Sequence, residues 1–246
     1  MTTPAIELVG LGKTYGATRA LADASLTVAR GQVFGYVGPN GAGKTTTIKI
    51  LAGLIKPTSG DARVLGTSVR EQPLAVKASI GYVPESGAVF EKFSAMEYLT
   101  LVGRLHRLPE DVIEQRVGHW LGVFGLQADR LRPMLALSKG TKQKVCWIAA
   151  LLHEPDVLVL DEPLNGLDVE SVAIIKDLMA RLAIEGRTVF YSSHLIDIVV
   201  KVCTSVAVVS RGRILAAGSV AEVTASFGQE SLERVLLDLS RAGEAS

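Results

Sequence analysis

Residues 38–46 read Gly38-Pro39-Asn40-Gly41-Ala42-Gly43-Lys44-Thr45-Thr46, and this stretch decides the fold. It fits the pattern G-x-x-x-x-G-K-[ST], with the flanks that the pattern requires. An apolar run over Gln32–Val37 predicts a strand before it, and Thr45–Leu54 predicts a helix after it. Glycines let backbone N–H groups turn inward around phosphate oxygens, where bulkier residues would obstruct them. The helix N-terminus adds partial positive charge to the same place. Lys44 would reach the β- and γ-phosphates of a nucleotide, and the Thr45 hydroxyl would hold Mg²⁺.

Downstream, Asp156-Val157-Leu158-Val159-Leu160-Asp161-Glu162 is an apolar strand ending in two carboxylates. Such a strand delivers acidic groups to the C-terminal edge of a parallel sheet, where α/β proteins bind ligands. Alone, the pair also fits a helix cap or a solvated edge. Beside a phosphate loop, Asp161 fits a metal ligand and Glu162 a general base that polarises water. Further strands are predicted at Ile6–Val9, Ser79–Val83, Thr188–Ser192 and Val206–Ser210. A hairpin-like end, Arg213–Ala217, follows the turn-prone Arg211-Gly212. Several of these runs are apolar throughout, as parallel strands covered on both faces should be.

Between about Phe93 and Glu154 the pattern turns helical. Met96–Leu105, Glu110–Leu121 and Gln143–Leu152 each carry apolar residues at spacings of three and four. The chain therefore reads as an α/β core interrupted by a helical insertion, with no Pro/Gly/Ser linker between the lobes. In the tail, Leu232, Val235, Leu236 and Leu239 share one helical face, which predicts a helix docked on its own domain.

Composition narrows the function class. The 246 residues are 48% hydrophobic and 21% charged, enough for a sizeable core without staples. With 26 Lys+Arg against 25 Asp+Glu the net charge is +1, which gives no electrostatic case for a nucleic-acid partner. Cys146 and Cys203 form no CxxC pair, so a reducing compartment without a zinc site is expected, with both thiols buried as small apolar groups. No secretory signal is expected from the N-terminal residues. The longest stretch free of Asp, Glu, Lys and Arg is the glycine-rich Gly31–Gly43, so no bilayer-spanning helix is expected. A mean hydropathy of +0.31 is high for a chain without a span and fits a generous core or apolar surface meant for a partner.

A third motif, Leu137-Ser138-Lys139-Gly140-Thr141-Lys142-Gln143-Lys144, lies just upstream of the acidic strand. Together with the first two it resembles the signature of ATP-binding cassette (ABC) ATPases. Other marks of that family appear in order: Tyr15, Leu164-Asn165-Gly166-Leu167-Asp168, and His194 after the Thr188–Ser192 run. The resemblance runs from about residue 6 to residue 218. It implies an α/β fold: a P-loop NTPase core with a mostly parallel sheet, at 1–92 and 155–218, in a single domain over 1–246. A helical subdomain at 93–154 would sit between the loop after Val83 and the acidic strand, with a helical tail at 219–246. It further implies ATP and Mg²⁺ as ligands. The nucleotide would contact Tyr15, Gly38, Pro39, Asn40, Gly41, Ala42, Gly43, Lys44, Thr45 and Thr46, and the metal Thr45, Glu85 and Asp161. Catalysis would rest on Glu162, His194 and Lys44. Ser138, Lys139, Gly140 and Thr141 would reach the ATP of a second cassette, and Asp168 would communicate between the two sites. Read alone, Tyr15 also fits a strand-edge aromatic, Ser138 a plain helix cap, and His194 a histidine with no special role.

Two positions depart from the family's usual form. Glu85 stands where the family has Gln, keeping an oxygen ligand but adding negative charge and losing an amide donor. Lys139 stands where the family has Gly, either drawing ATP or pointing to solvent. The resemblance implies an export-type bacterial ATP-binding subunit on the cytoplasmic face of the membrane, paired with an integral-membrane permease and a second cassette. A soluble ABC ATPase serving a cytosolic assembly is the alternative.

Overall fold

Five apolar runs line up in one sheet, and their order places the phosphate loop at its centre. The computed structural model describes residues 3–86, 90–193 and 196–244. In chain order the strands of this sheet are β3 (Val33–Val37), β6 (Ile80–Val83), β7 (Val157–Asp161), β8 (Thr188–Ser193), β9 (Ser205–Ser210) and β10 (Arg213–Gly218). Their spatial order is β10-β9-β3-β8-β7-β6; all neighbours are parallel except β10, which closes a hairpin on β9.

Every residue of β3, β7 and β8 is buried, because both faces of the sheet are covered. The two-residue period of a strand then sorts side chains between two cores. Phe34, Tyr36, Val157, Val159, Phe190, Ala207 and Val209 face one; Val33, Val37, Leu158, Leu160, Val189, Tyr191, Val206 and Val208 face the other. On the first face Phe34 stacks on Phe190 at 5.8 Å between ring centroids, and Tyr36 packs against the same ring at 5.1 Å.

That first face is covered by an element the sequence reading did not contain. β1 (Ile6–Tyr15), β2 (Thr18–Val28), β4 (Ser59–Val64) and β5 (Thr67–Ser68) form a second, fully antiparallel sheet in the order β2-β1-β4-β5. The expected Ile6–Val9 strand thus runs on to Tyr15, through a register shift at its centre. Helix α1 (Lys44–Leu51) lies between the sheets and buries Ile48, Ile50 and Leu51.

The other face carries the helices. Among the described residues no strand occurs between β6 and β7; there the chain forms α3 (Ala95–Leu105), α4 (Glu110–Val123), a 3₁₀ turn at Met134–Ala136, and α5 (Lys139–Leu151). Ser94 opens α3 with a capping box, its hydroxyl accepting from the Glu97 N–H while the Glu97 carboxylate accepts from Ser94 N–H. Helix α5 buries Val145, Cys146, Trp147, Ile148, Ala149, Ala150 and Leu151, so this helix is the seam joining the helical lobe to the core. Four further helices were not expected or only partly so: α2 (Pro73–Ser79), α6 (Val169–Ile184), α7 (Ile196–Val202) and α8 (Val220–Ser226). The tail helix, α9 (Leu232–Glu244), docks Leu232, Val235 and Leu236 onto the main core, as expected. Both cysteines are buried and unpaired. Among the described residues no helix is long and apolar enough to cross a membrane.

Candidate functional site

The phosphate loop connects β3 to α1 at the C-terminal edge of the parallel sheet, as the strand–loop–helix reading requires. Gly43 caps α1 with φ +103°, a backbone region that L side chains rarely adopt, and a Cβ there would stand 2.6 Å from the Ala20 carbonyl oxygen. No side chain caps α1 and its first turn holds no acidic residue, so the orphan N–H groups of that turn face the loop. The loop is braced from outside: Gly212 N–H donates to Ala42 O at 3.0 Å, and Ala22 N–H to Gly212 O at 2.8 Å.

Lys44 is buried, and its ammonium donates to the Gly38 and Pro39 carbonyls at 2.7 and 3.2 Å. Burial pulls its pKa below the ordinary lysine value, opposed by the carboxylates of Glu162, Asp161 and Glu85. Asp161 ends β7 almost fully buried. The register places it opposite Ser192 on β8, whose hydroxyl donates to its Oδ1 at 3.0 Å; the Thr45 hydroxyl donates to the same oxygen at 3.2 Å. Burial raises the Asp161 pKa, with Glu85 adding to the rise, while the two hydroxyls and Lys49 oppose it.

Glu162 follows at once, buried, with φ +46°. A non-glycine residue in that region is strained by about 1–2 kcal/mol. The following Pro163 biases its predecessor toward extended backbone and makes the conformation less favourable still. The turn is held by Glu162 N–H, which donates to Ser192 O at 3.2 Å.

Lys44, Thr45 and Glu162 line one cavity of about 560 Å³, together with Tyr15, Ala20, the other residues from Asn40 to Thr46, and Glu85; Asp161 is not in the lining and meets it through the Thr45 hydroxyl. Tyr15 is half-exposed at the end of β1, with the Lys13 ammonium 5.0 Å from its ring centroid. Gly38 and Pro39, expected at the nucleotide, do not line this cavity; their carbonyls accept from Lys44. The cavity offers donors for phosphate, an aromatic face at its rim, and carboxylates opposite the loop. The donor set also suits Mg²⁺: a hydroxyl and a buried carboxylate oxygen already within hydrogen-bond reach of each other, both hard ligands. Among the described residues no cluster of three or more His, Cys, Asp and Glu could hold a metal alone. The set therefore suits an ion that shares its coordination with substrate phosphates.

The segment at residues 138–141 does not line this cavity. Ser138 caps α5, its hydroxyl accepting from Thr141 N–H at 3.1 Å and lying 2.8 Å from the Thr141 hydroxyl. Lys139 is exposed, and its aliphatic stem lies about 3.6 Å from where a Cβ on Gly166 would be. Gly140 packs so closely that an added Cβ would stand 2.5 Å from Gly166 O. Asp168 caps α6 by accepting from the Ser171 N–H and hydroxyl at 2.8 and 2.7 Å, and pairs with Lys144 at 3.0 Å. Those bonds to Ser171 and Lys144 hold its pKa well below the usual carboxylate range. His194 lies outside the described residues.

Sequence reasoning missed Ser192, the partner of Asp161, and assigned no role to Lys144 or Gln143. A strand end paired with an acidic strand end was the available signal for Ser192. Trp147 is fully buried, and its indole N–H donates to Pro163 O at 3.1 Å.

Comparison with known proteins adds to this geometry. A family model described as ABC transporter matches residues 21–165. An uncharacterised ABC transporter ATP-binding protein of Nostoc sp. is 37% identical over 212 residues, 84% of this chain and 62% of the relative, so the chain spans under two thirds of that protein. The daunorubicin/doxorubicin resistance ATP-binding protein DrrA of Streptomyces peucetius is 35% identical over 99% of this chain and 74% of its own length. A solved structure of an ATP-binding subunit of an ABC transporter superposes with a TM-score of 0.89 at 30% identity, covering 96% of this chain and 99% of the other.

Proposed function

Because the chain belongs to the ABC transporter family as an ATP-binding subunit with the ATPase fold, we propose that two copies, or this chain and a second cassette, sandwich ATP and drive a separate membrane permease. The observation that carries this reading is the convergence of Lys44, Thr45 and Glu162 on one cavity at the sheet edge, with Asp161 bonded to the Thr45 hydroxyl.

Phosphate is bound by the N–H groups of the loop and of the first turn of α1, and Lys44 leaves the Gly38 and Pro39 carbonyls to meet the β- and γ-phosphates. Thr45 and Asp161 would hold Mg²⁺, with Glu85 as a further oxygen ligand at the cavity wall, and the ion would neutralise charge on the phosphates. Tyr15 stacks on the adenine, a contact worth about 1–3 kcal/mol. Glu162 accepts a proton from water as the water oxygen bonds to the γ-phosphorus and the bond to the β–γ bridging oxygen breaks. His194 contacts the γ-phosphate.

Within one chain the Ser138–Thr141 segment does not line the cavity, which fits a segment that meets the ATP of a partner instead. There the N-terminus of α5 offers backbone N–H groups and partial positive charge. Asp168, tied to α5 through Lys144, links the two sites.

The permease docks on the groove between the lobes, where Leu54, Tyr82, Tyr98 and Val102 form an apolar wall. On this reading the chain sits peripherally on the cytoplasmic face. The drug-resistance role in DrrA's name favours export. Co-purification of the tagged chain from native membranes in mild detergent tests the reading. A polytopic membrane protein in stoichiometric amount supports it; recovery only with soluble partners overturns it in favour of a cytosolic assembly factor.

A further inference from the structure

The strained backbone at Glu162 needs support on both sides, and only one side is explained by the sheet. Its N–H is held by Ser192, the residue paired with Asp161 across β7 and β8. On the C-terminal side the support comes from the helical lobe. The carbonyl of the next residue, Pro163, accepts from Trp147 Nε1–H at 3.1 Å and from Gln143 Nε2–H at 3.4 Å. Both side chains are fully buried and lie one turn apart on α5.

Gln143 also donates to Pro84 O at 2.9 Å, the residue before Glu85. Two carbonyl partners fix the amide with its NH₂ toward them. Its Oε1 is left buried without a hydrogen-bond partner among the described residues, an arrangement that runs against its own stability. One side chain thus ties together the two loops that carry the cavity's exposed and buried carboxylates. Trp147 could fill its volume as any large apolar side chain would, yet its one polar atom is aimed at the same carbonyl.

We infer that Trp147 and Gln143 are positioning residues that hold Glu162 in its left-handed conformation and so aim its carboxylate at the attacking water. The inference rests on Glu162 being the general base. Strained conformations persist only where the surroundings over-determine them, and a small misplacement of a reacting group is costly in rate.

The test is a double-mutant cycle on the full chain, with single-turnover ATP hydrolysis and ATP affinity as readouts. Trp147→Phe keeps a ring and deletes the N–H. It is expected to slow hydrolysis about tenfold while ATP affinity stays within about twofold. In a Glu162→Gln background, where no carboxylate remains to be aimed, the same substitution is expected to leave the residual rate within about twofold. An equal loss in both backgrounds, a weakened affinity with unchanged rate, or no effect overturns the inference. Should Trp147→Phe fail to unfold cooperatively, Gln143→Met carries the same cycle with the same expected outcomes. If Glu162→Gln alone keeps the wild-type rate, it is the reading of Glu162 as base that fails, and the two failures are separable.

Discussion

Gly140→Ala separates stability from activity in a way the structure allows to be worked through. A Cβ on Gly140 would stand 2.5 Å from the Gly166 carbonyl oxygen, with the Gly166 carbonyl carbon 3.6 Å away. The obstructing atom is backbone, so no rotamer change relieves it. Restoring an ordinary contact requires a shift of about 1 Å between the start of α5 and the loop from Glu162 to Asp168. Overpacking of this kind costs roughly 1–3 kcal/mol. Replacing glycine in a helix returns about 0.5–1 kcal/mol. The net destabilisation is at most about 2.5 kcal/mol, and for a chain of this size that lowers Tm by at most about 10 °C. Activity suffers more, because the displaced loop starts at Glu162 and the displaced helix start carries Ser138. A displacement near 1 Å at a reacting centre costs up to about 100-fold. Thermal unfolding and ATP hydrolysis at saturating nucleotide, on the same preparations, provide the comparison. A variant that hydrolyses ATP within twofold of wild type would show that the close approach of Gly140 to Gly166 does not matter to the reaction.

Asp168→Ala removes the cap of α6 and should lower stability by about 1 kcal/mol, while Asp168→Asn keeps an acceptor for Ser171 and loses only the ionic character of the pair with Lys144, which the exposure of Asp168 keeps weak; the two Tm values, differing by about 2–4 °C, check this. His153 should make the fold acid-sensitive. Burial, with His106 stacked 3.7 Å away and Arg116 nearby, depresses its pKa to about 4 against the pull of its bond to Ile80 O, from an ordinary value of 6.5. The unfolded chain therefore binds this proton more readily between those two values, so stability falls as pH drops from about 6.5 toward 4 and this contribution levels off below. Tm measured from pH 7.5 to 4.5 should fall less in His153→Gln than in wild type, and parallel curves would remove the assignment.

How much of this was legible depends on where each residue's partners lie. The phosphate loop and the Asp156–Glu162 run carry their context within about ten residues, so strand, loop and helix could all be read locally. The parallel strands were legible because burial on both faces leaves them apolar throughout. The antiparallel sheet was not. β2 alternates buried and exposed positions, and Asp23 within it sits at φ +65°; β4 opens on Ser59-Gly60-Asp61 and reads as a turn. β4 takes its strand character from pairing with the distant β1, whereas β2 pairs with β1 across the short Gly16-Ala17 turn, a hairpin whose alternation the bulges in its register interrupt. At the site the same division holds. Lys44, Thr45, Asp161 and Glu162 follow from motif chemistry, whereas Ser192, Gln143 and Trp147 act through bonds to residues 16 to 59 positions distant. The left-handed turn at Glu162 was also invisible, since nothing in Asp-Glu-Pro announces a positive φ.

The most direct measurement of the central claim is ATP turnover by the full chain and its Glu162→Gln variant, with molar mass followed by light scattering in the presence of ATP and Mg²⁺. The account predicts that the variant binds ATP, accumulates as a dimer because the shared γ-phosphate is retained, and hydrolyses it at least about 100-fold more slowly. A variant that turns over ATP at the wild-type rate, or that stays monomeric with ATP bound, would contradict it.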